Sequence, residues 1–280
     1  MGGNHKPGTP RDRALGAELR AIRENAGMSL AQTCEEIQWN PSHLSRLERG
    51  QRHISPESVM GLAMIYQVPA DRRTELVARA KEVSTLGWWD RPPAGVPTEL
   101  GALAAYEHEA IRMTDWSPSI IPGLLQTPAY AEALMREWGV PEKDLNARLG
   151  ARRQRQGLLD RRQVDYTALI GDFALRNQLC EPEAFATQLR HVATLARRDG
   201  ISIRLVEQPT ALAMFGWYLM DFDQVGSAVL VEHHESSTFL FDEETTQYLR
   251  ARRALTALAL SERATQDRLQ TEIERVLIGG

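Results

Sequence analysis

SLAQTCEEIQWNPSHLSRLER, Ser29 to Arg49, is the stretch whose reading decides the fold of the first third of this chain. Two helical start signals lie inside it. Ser29 is an N-cap residue, and Gln32 three positions later completes a capping box. Asn40 is a second N-cap, with Pro41 at the first helical position, where a missing N–H has no intrahelical partner to lose. Only Gln38 and Trp39 remain for the turn, so the second helix leaves the first at a steep angle and the spacing predicts a helix-turn-helix. Leu30, Cys34 and Ile37 share one stripe of the first helix, Leu44 and Leu47 one stripe of the second, and the two stripes can bury a common core. Outside on the second helix stand Ser42, His43, Ser45, Arg46 and Arg49, a small, polar and basic set with donors suited to base edges and phosphates. Glu48 is an acid on that face, and Arg23 on the preceding helix is the partner available to it.

Working outward, Leu15, Leu19 and Ile22 at helical spacing predict a first helix from Arg11 to Asn25, with Gly27 as its stop. Gly50 ends the recognition segment, Gln51 to Ile54 form a loop, and Ser55-Pro56-Glu57-Ser58 starts a fourth helix carrying Val59, Leu62, Ala63 and Tyr66. A fifth runs from Asp71 to Val83. The expectation is a mainly α, five-helix domain over residues 11–83, behind a Gly- and Pro-rich leader over 1–10 read as disordered, with an arm on DNA through Lys6, Arg11 and Arg13 as the alternative.

LRAIRENAGMSLAQTCEEI, continued by NPSHLSRLERGQRHISPESVMGLAMIY, resembles the xenobiotic-response-element and phage-repressor class of helix-turn-helix domains, with its S-R-[IL]-E-x-G signature present as Ser45, Arg46, Leu47, Glu48 and Gly50. The resemblance implies a structural ion pair between Arg23 and Glu48, base reading by Ser42, His43, Ser45 and Arg46, and phosphate contacts from Ser29, Arg49 and Arg52. Pro41 stands where that family often has a long polar base reader, which moves direct readout onto Ser42, His43 and Arg46.

A chain of 280 residues exceeds one usual domain, and 42% hydrophobic with 25% charged residues is an ordinary globular composition. A net charge of −4 argues against a protein that coats nucleic acid generally. The charge is divided: residues 1–84 carry 12 Lys and Arg against 10 Asp and Glu, and residues 85–280 carry 21 against 27. Basicity is therefore local, and tight binding calls for several placed phosphate contacts and two copies reading half-sites ~34 Å apart. Cys34 and Cys180 form no ligand spacing and read as small buried residues in a reducing compartment. The chain has no apolar run of membrane-spanning length and no signal-peptide core, so a cytoplasmic protein without a membrane partner is expected.

STLGWWDRPPAGVPT, within 84–98, is too broken by Pro and Gly for a helix and reads as a linker; Trp88 and Trp89 side by side make it a strap with at least one docked ring. Residues 99–280 then form a second domain. A helix from Leu100 to Met113 and a Pro-interrupted turn come first; strands at Gln163–Ile170, Ile201–Glu207, Phe215–Phe222 and Ser227–Glu232 follow, with a helix Glu183–Arg198 between the first two and a turn Asp223–Gly226 between the last two. A long helical pattern from Asp242 to Leu277, interrupted near Ser261, closes the chain. This domain is therefore α+β, a small mixed sheet with helices on one side.

YEHEAIRMTDWSPSIIPGLLQTPAYAEAL, ARRQRQGLL and QLRHVA resemble the antitoxin-like C-terminal domain that follows this helix-turn-helix in actinomycete regulators of the WhiJ-like class, PGLLQTPAY being the most specific piece. That resemblance implies a small protein partner encoded by a neighbouring gene and a role in development or secondary metabolism; the two copies called for by the modest local basicity make a homodimer the expected assembly. Candidate contacts for the partner, or for a small-molecule effector, are Pro122, Gly123, Leu124, Leu125 and Gln126 with Arg152, Arg153 and Arg155. The arginine stripe between Asp144 and Arg162 reads first as an exposed, salt-bridged face, second as a partner contact and third as a DNA contact.

The strong catalytic and phosphate-loop signatures are absent from the sequence, and no cofactor is expected. Glu107-His108-Glu109 and His233-His234-Glu235 are metal ligands only on paper, since neighbours on a strand point to opposite faces. Asp221 and Asp223 read as a hairpin rim rather than paired catalytic carboxylates. Three readings follow: a transcriptional regulator, repressor-like in its first domain; an antitoxin that sequesters a small toxic protein and autoregulates its operon; and a ligand-sensing or enzymatic domain with a DNA-binding appendage.

Overall fold

The computed structural model describes residues 8–81, 88–90, 92–161, 163, 165–208, 210–223, 226–232 and 237–279. They form two compact units, one of the residues up to Pro92 together with Pro97–Glu109, the other of Pro93–Val96 together with Ala110 onward. The expected leader falls largely on residues 1–7, and Val83, Arg162, His233, His234 and Glu235 likewise lie outside the described residues.

In the first unit α1 spans Pro10–Asn25, α2 Leu30–Ile37, α3 Pro41–Glu48, α4 Pro56–Ile65 and α5 Ala70–Lys81. Each start follows local chemistry. Ser29 and Gln32 close a capping box on α2, the Asn40 side chain accepts from Ser42 N with Pro41 at N1, and the Ser55 hydroxyl accepts from Ser58 N. A further capping box, Thr9 with Asp12, opens α1. The corner between α2 and α3 is made by Gln38, whose left-handed backbone (φ 57°) lets its N–H reach Cys34 O. Leu15, Leu19, Cys34, Leu44, Leu47, Val59, Leu62 and Leu76 form one core. Two glycines set how closely α1 meets the recognition segment: a Cβ on Gly16 would stand 2.3 Å from Leu47 O, and one on Gly50, itself at φ 63°, would stand 2.2 Å from Arg13 Cα.

A short 3₁₀ turn at Trp88–Asp90 and helix α6, Thr98–Glu109, complete this unit. Trp89 packs on His108 with ring centroids 4.7 Å apart, and a Cβ on Gly101 would meet Trp89 O at 2.8 Å, so one ring of the Trp pair is docked. Arg11 meets Glu109 at 3.6 Å, and burial pushes the Tyr106 phenol well up. The boundary expected from sequence gave α6 to the second domain; by packing it groups with the first unit, because its contacts are with the Trp turn and α1.

The second unit is built on a six-stranded mixed sheet: β1 (Arg112–Ser117), β2 (Tyr166–Gly171), β3 (Ile201–Val206), β4 (Trp217–Phe222), β5 (Gly226–Glu232) and β6 (Ser237–Phe241) in the order β3-β2-β1-β4-β5-β6. The three β1–β3 strands run parallel, and β4 pairs antiparallel with β1 and begins a meander through β5 and β6. Helices α7 (Pro128–Glu137) and α8 (Glu142–Gln156) lie between β1 and β2, and α9 (Pro182–Leu195) between β2 and β3; α10 (Thr246–Leu258) and α11 (Glu262–Gly279) end the chain. Chain ends of the expected strands shift by a few residues, and β1 and β6 are additions. The sequence predicts a helix end and turn for RMTDWS, yet it is the strand that joins the parallel and antiparallel halves. Helices on one side of the sheet were also expected, but both faces are buried: Ala251 and Leu255 of α10 pack on Trp116, Leu169, Val206, Trp217, Leu219 and Val229, while Tyr166, Ala168, Ile170 and Ile203 are buried on the opposite face.

The β3 edge is closed rather than open. Leu260 N donates to Leu205 O, Leu205 N donates to the Thr265 hydroxyl, and the Arg204 guanidinium caps the carbonyls of Ala259 and Leu260. Arg268 of α11 bridges Glu207 (2.8 Å), Asp172 (3.0 Å) and Glu272, pinning the last helix to the strand ends.

Candidate nucleic-acid interface

α3 buries Leu44 and Leu47 and turns Ser42 and Arg49 outward, with His43, Ser45 and Arg46 half-exposed between them. Glu48 is turned the other way. Its carboxylate accepts from Arg23 Nε at 2.7 Å and Nη2 at 2.9 Å, both side chains almost fully buried, and Arg23 Nη1 donates to Met28 O at 2.8 Å. This planar pairing, which also raises the Arg23 pKa, removes the acid from the outer surface and ties α1, the start of α2 and the end of α3 together.

What is left outside is basic and polar. Arg46 Nε donates to Ser42 O (3.0 Å) and Arg49 Nε to Ser45 O (3.2 Å), so both guanidiniums lie along the outer face of the helix on bonds that a base or phosphate acceptor can replace. His43 is held from two sides: Trp39 packs edge-on at 4.8 Å, and Arg52 Nη1 lies 3.4 Å from His43 Nδ1. A guanidinium only donates, so this contact makes Nδ1 the acceptor and places the ring proton on Nε2. Ser29 is exposed at the N-terminus of α2, where its hydroxyl accepts from Gln32 N and its own N–H donates to Gln32 Oε1. The structure thus brings Ser42, His43, Arg46 and Arg52 together around one end of α3. Trp39 is the member that reading by residue type missed, since the spacing assigned it only to the turn.

The second unit's candidates fall out differently. Pro122, Leu124, Leu125 and Gln126 are buried, and the polar groups of PGLLQTP are satisfied internally. Gln126 Nε2 donates to Ile121 O and its Oε1 accepts from Arg152; Gln156 Nε2 donates to the carbonyls of Gly123 and Gln126; Gln188 accepts from Thr127 N and donates to Leu125 O. The motif packs between helices with Pro122, Leu124, Leu125 and Gln126 buried, which corrects their assignment as a partner-facing surface: these residues are spent on internal packing and on the hydrogen bonds to Ile121, Arg152 and Gln188. Arg155 is buried as well, Gly123 and Arg152 are half-buried, and Arg153 alone of the three arginines is exposed. Arg148 donates to Gly95 O, so part of the arginine stripe holds the connecting segment. Asp221 accepts from Arg252 and Ser227. Among the described residues no group of His, Cys, Asp and Glu could hold a metal, and no helix is long and apolar enough to cross a membrane.

Residues 14–76 match a family model described as "Helix-turn-helix domain", and residues 100–271 match one described as "Domain of unknown function (DUF5753)". Searches of curated proteins and of solved structures give no match. The first match covers α1 to α5 and the face just described; the second covers more than half of the chain. The protein is therefore a helix-turn-helix DNA-binding regulator that belongs to the DUF5753 family.

Proposed function

We propose that α3 enters the major groove of duplex DNA, with Ser42, His43, Ser45 and Arg46 reading base edges and Ser29, Arg49 and Arg52 holding phosphates. The observation that carries this reading is the division of α3: its acid is buried against Arg23 while its cations and hydroxyls stay outside. The modest positive balance of the N-terminal part favours binding as a homodimer in the cytoplasm, two copies of α3 meeting half-sites one helical turn apart. The DUF5753 domain receives a small protein partner or ligand that alters DNA binding, through exposed groups such as Arg153 rather than the buried PGLLQ turn.

The test uses a duplex selected by the full chain from a random-sequence pool and an unselected duplex of the same length. Arg46→Ala weakens the selected duplex by about 1–3 kcal/mol and narrows the gap between the two, whereas Arg49→Ala weakens both alike. Wild-type affinity of both variants for both duplexes overturns these roles.

A further inference from the structure

Trp39 occupies the corner that sends α3 off α2, and the main chain on both sides of it is tied down. Its N–H donates to Cys34 O (3.0 Å). The next residue, Asn40, accepts from Ser42 N with its side chain and from His43 N with its carbonyl, each at 2.8 Å. The indole packs partly buried against the core of the first unit. It therefore meets His43 as a fixed wall, with ring centroids 4.8 Å apart and planes at 78°. A second contact comes from the loop that leaves α3. Gln51 N pins that loop to Arg46 O (2.9 Å), and Arg52 brings Nη1 to 3.4 Å from His43 Nδ1.

The two contacts act differently. The indole restricts the plane of the imidazole, and the guanidinium decides which nitrogen holds the proton. An imidazole on an open helix turn offers Nε2 as donor or as acceptor, because its single proton exchanges between the two nitrogens. A guanidinium only donates, so the Nδ1 that faces it is the bare nitrogen and Nε2 carries the proton. A second proton on the ring would remove this bond and set two cations side by side. The ring is left as a donor at Nε2. In the major groove guanine offers N7 and O6 as adjacent acceptors, whereas cytosine offers only its amino donor. A donor-only imidazole pairs with the first and meets the second N–H against N–H; an unlocked one accepts from the cytosine amino group and tells the two apart weakly.

We propose that Trp39 and Arg52 are positioning residues for His43, and that by holding its ring as an Nε2 donor they make it select guanine against cytosine at one base pair of the binding site. The inference rests on the docking of α3 proposed above. It gives a specificity role to Trp39, which acts through His43 rather than on a base, and adds that role to the phosphate contact of Arg52.

The experiment reads base preference position by position. Wild type, His43→Ala, Trp39→Ala, Trp39→Phe, Arg52→Ala and Arg46→Ala, each in the full chain, select from a random-sequence duplex pool, and the recovered sites are sequenced. The expected result is one position at which wild type favours guanine over cytosine by about 5- to 20-fold. That preference is lost in His43→Ala and Trp39→Ala while the other positions keep theirs, and Trp39→Phe retains it. Arg52→Ala loses it as well, on top of a weakening common to all sequences, and carries the test if Trp39→Ala does not fold. 7-Deazaguanine at that position, which lacks the N7 acceptor, weakens wild type but not His43→Ala. If Trp39→Ala and Arg52→Ala keep the guanine preference, the two side chains only hold the corner and the loop, and the inference fails. Absence of a His43-dependent position favouring guanine over cytosine, with Arg46→Ala still altering a position of its own, also ends it but leaves the docking of α3 standing. Site preferences unchanged in both Arg46→Ala and His43→Ala remove the docking and the inference together.

Discussion

Glu48→Ala is the sharpest perturbation of this fold. The carboxylate takes two charge-assisted hydrogen bonds from Arg23, at 2.7 and 2.9 Å, in a setting where the two side chains are 3% and 8% exposed. Each such bond is worth about 1.5–3 kcal/mol. Removing the acceptor also leaves a buried guanidinium with Met28 O and the half-exposed Glu24 carboxylate, 3.5 Å away, in place of its buried partner, and cutting one side of a buried pair costs about 3–5 kcal/mol. Against a typical domain stability of about 5–15 kcal/mol, that is a large fraction of what holds α3 on its scaffold. Arg23→Met is expected to cost a similar amount by stranding the carboxylate. The double variant, Arg23→Met with Glu48→Leu, buries no unpaired charge and is expected to be less destabilised than either single one. Hydrogen exchange of the Leu44 to Glu48 amides in the full chain, followed over a urea series, reads the opening free energy of this segment without requiring one transition for both units. A loss below about 1 kcal/mol for Glu48→Ala, or a double-variant loss equal to the sum of the singles, would refute the account of the pair as a buried, mutually dependent unit.

Two further outcomes follow from buried polar groups. Gln188 is fully buried and serves Thr127 N and Leu125 O, so Gln188→Leu leaves two backbone groups without partners and is expected to cost about 2–4 kcal/mol, read as faster exchange of the 123–127 amides. Burial pushes the Asp12 carboxyl up, but the His53 bond and charge and the Ile54 and Thr9 donors prevail and hold it below its ordinary 3.8. A folded pKa below the unfolded one stabilises fully above the unfolded value and is lost as pH falls through the folded one. The protection factor of the Ile54 amide, its exchange rate corrected for the intrinsic pH dependence, is therefore expected to fall between about pH 5 and pH 2, and Asp12→Asn flattens that response; an identical pH profile for the variant would count against the cap.

The helix-turn-helix was legible because its signals are local. Ser29 with Gln32, and Asn40 with Pro41, act within four residues, and those starts stand in the structure as spaced in the sequence. The strands of β3, β4 and β5 announce themselves by Val, Ile, Tyr and Phe between turn residues. β1 does not: Arg112, Thr114 and Asp115 interrupt its apolar residues, and only pairing with Tyr166 to Ile170 on one side and Trp217 to Asp221 on the other makes it a central strand. PGLLQTPAY misled for a related reason, since glutamines in a Pro-rich turn look exposed until distant Gln156 and Gln188 are seen bonding to its backbone. The candidate interface's residues on α3 could be named by type and spacing, whereas in the same unit the Asp12 to His53 contact joins positions far apart in the chain and has no sequence period to reveal it.

The family match opens at residue 100, inside a helix that packs with the DNA-reading half. An exchange of regulatory halves between relatives at that point would leave each reader domain docked to a foreign α6, with new neighbours for the Trp89 ring and for Arg11. A join placed after Glu109 keeps those contacts native, so chimeras cut at the two positions should differ in soluble yield even though the borrowed sheet is the same.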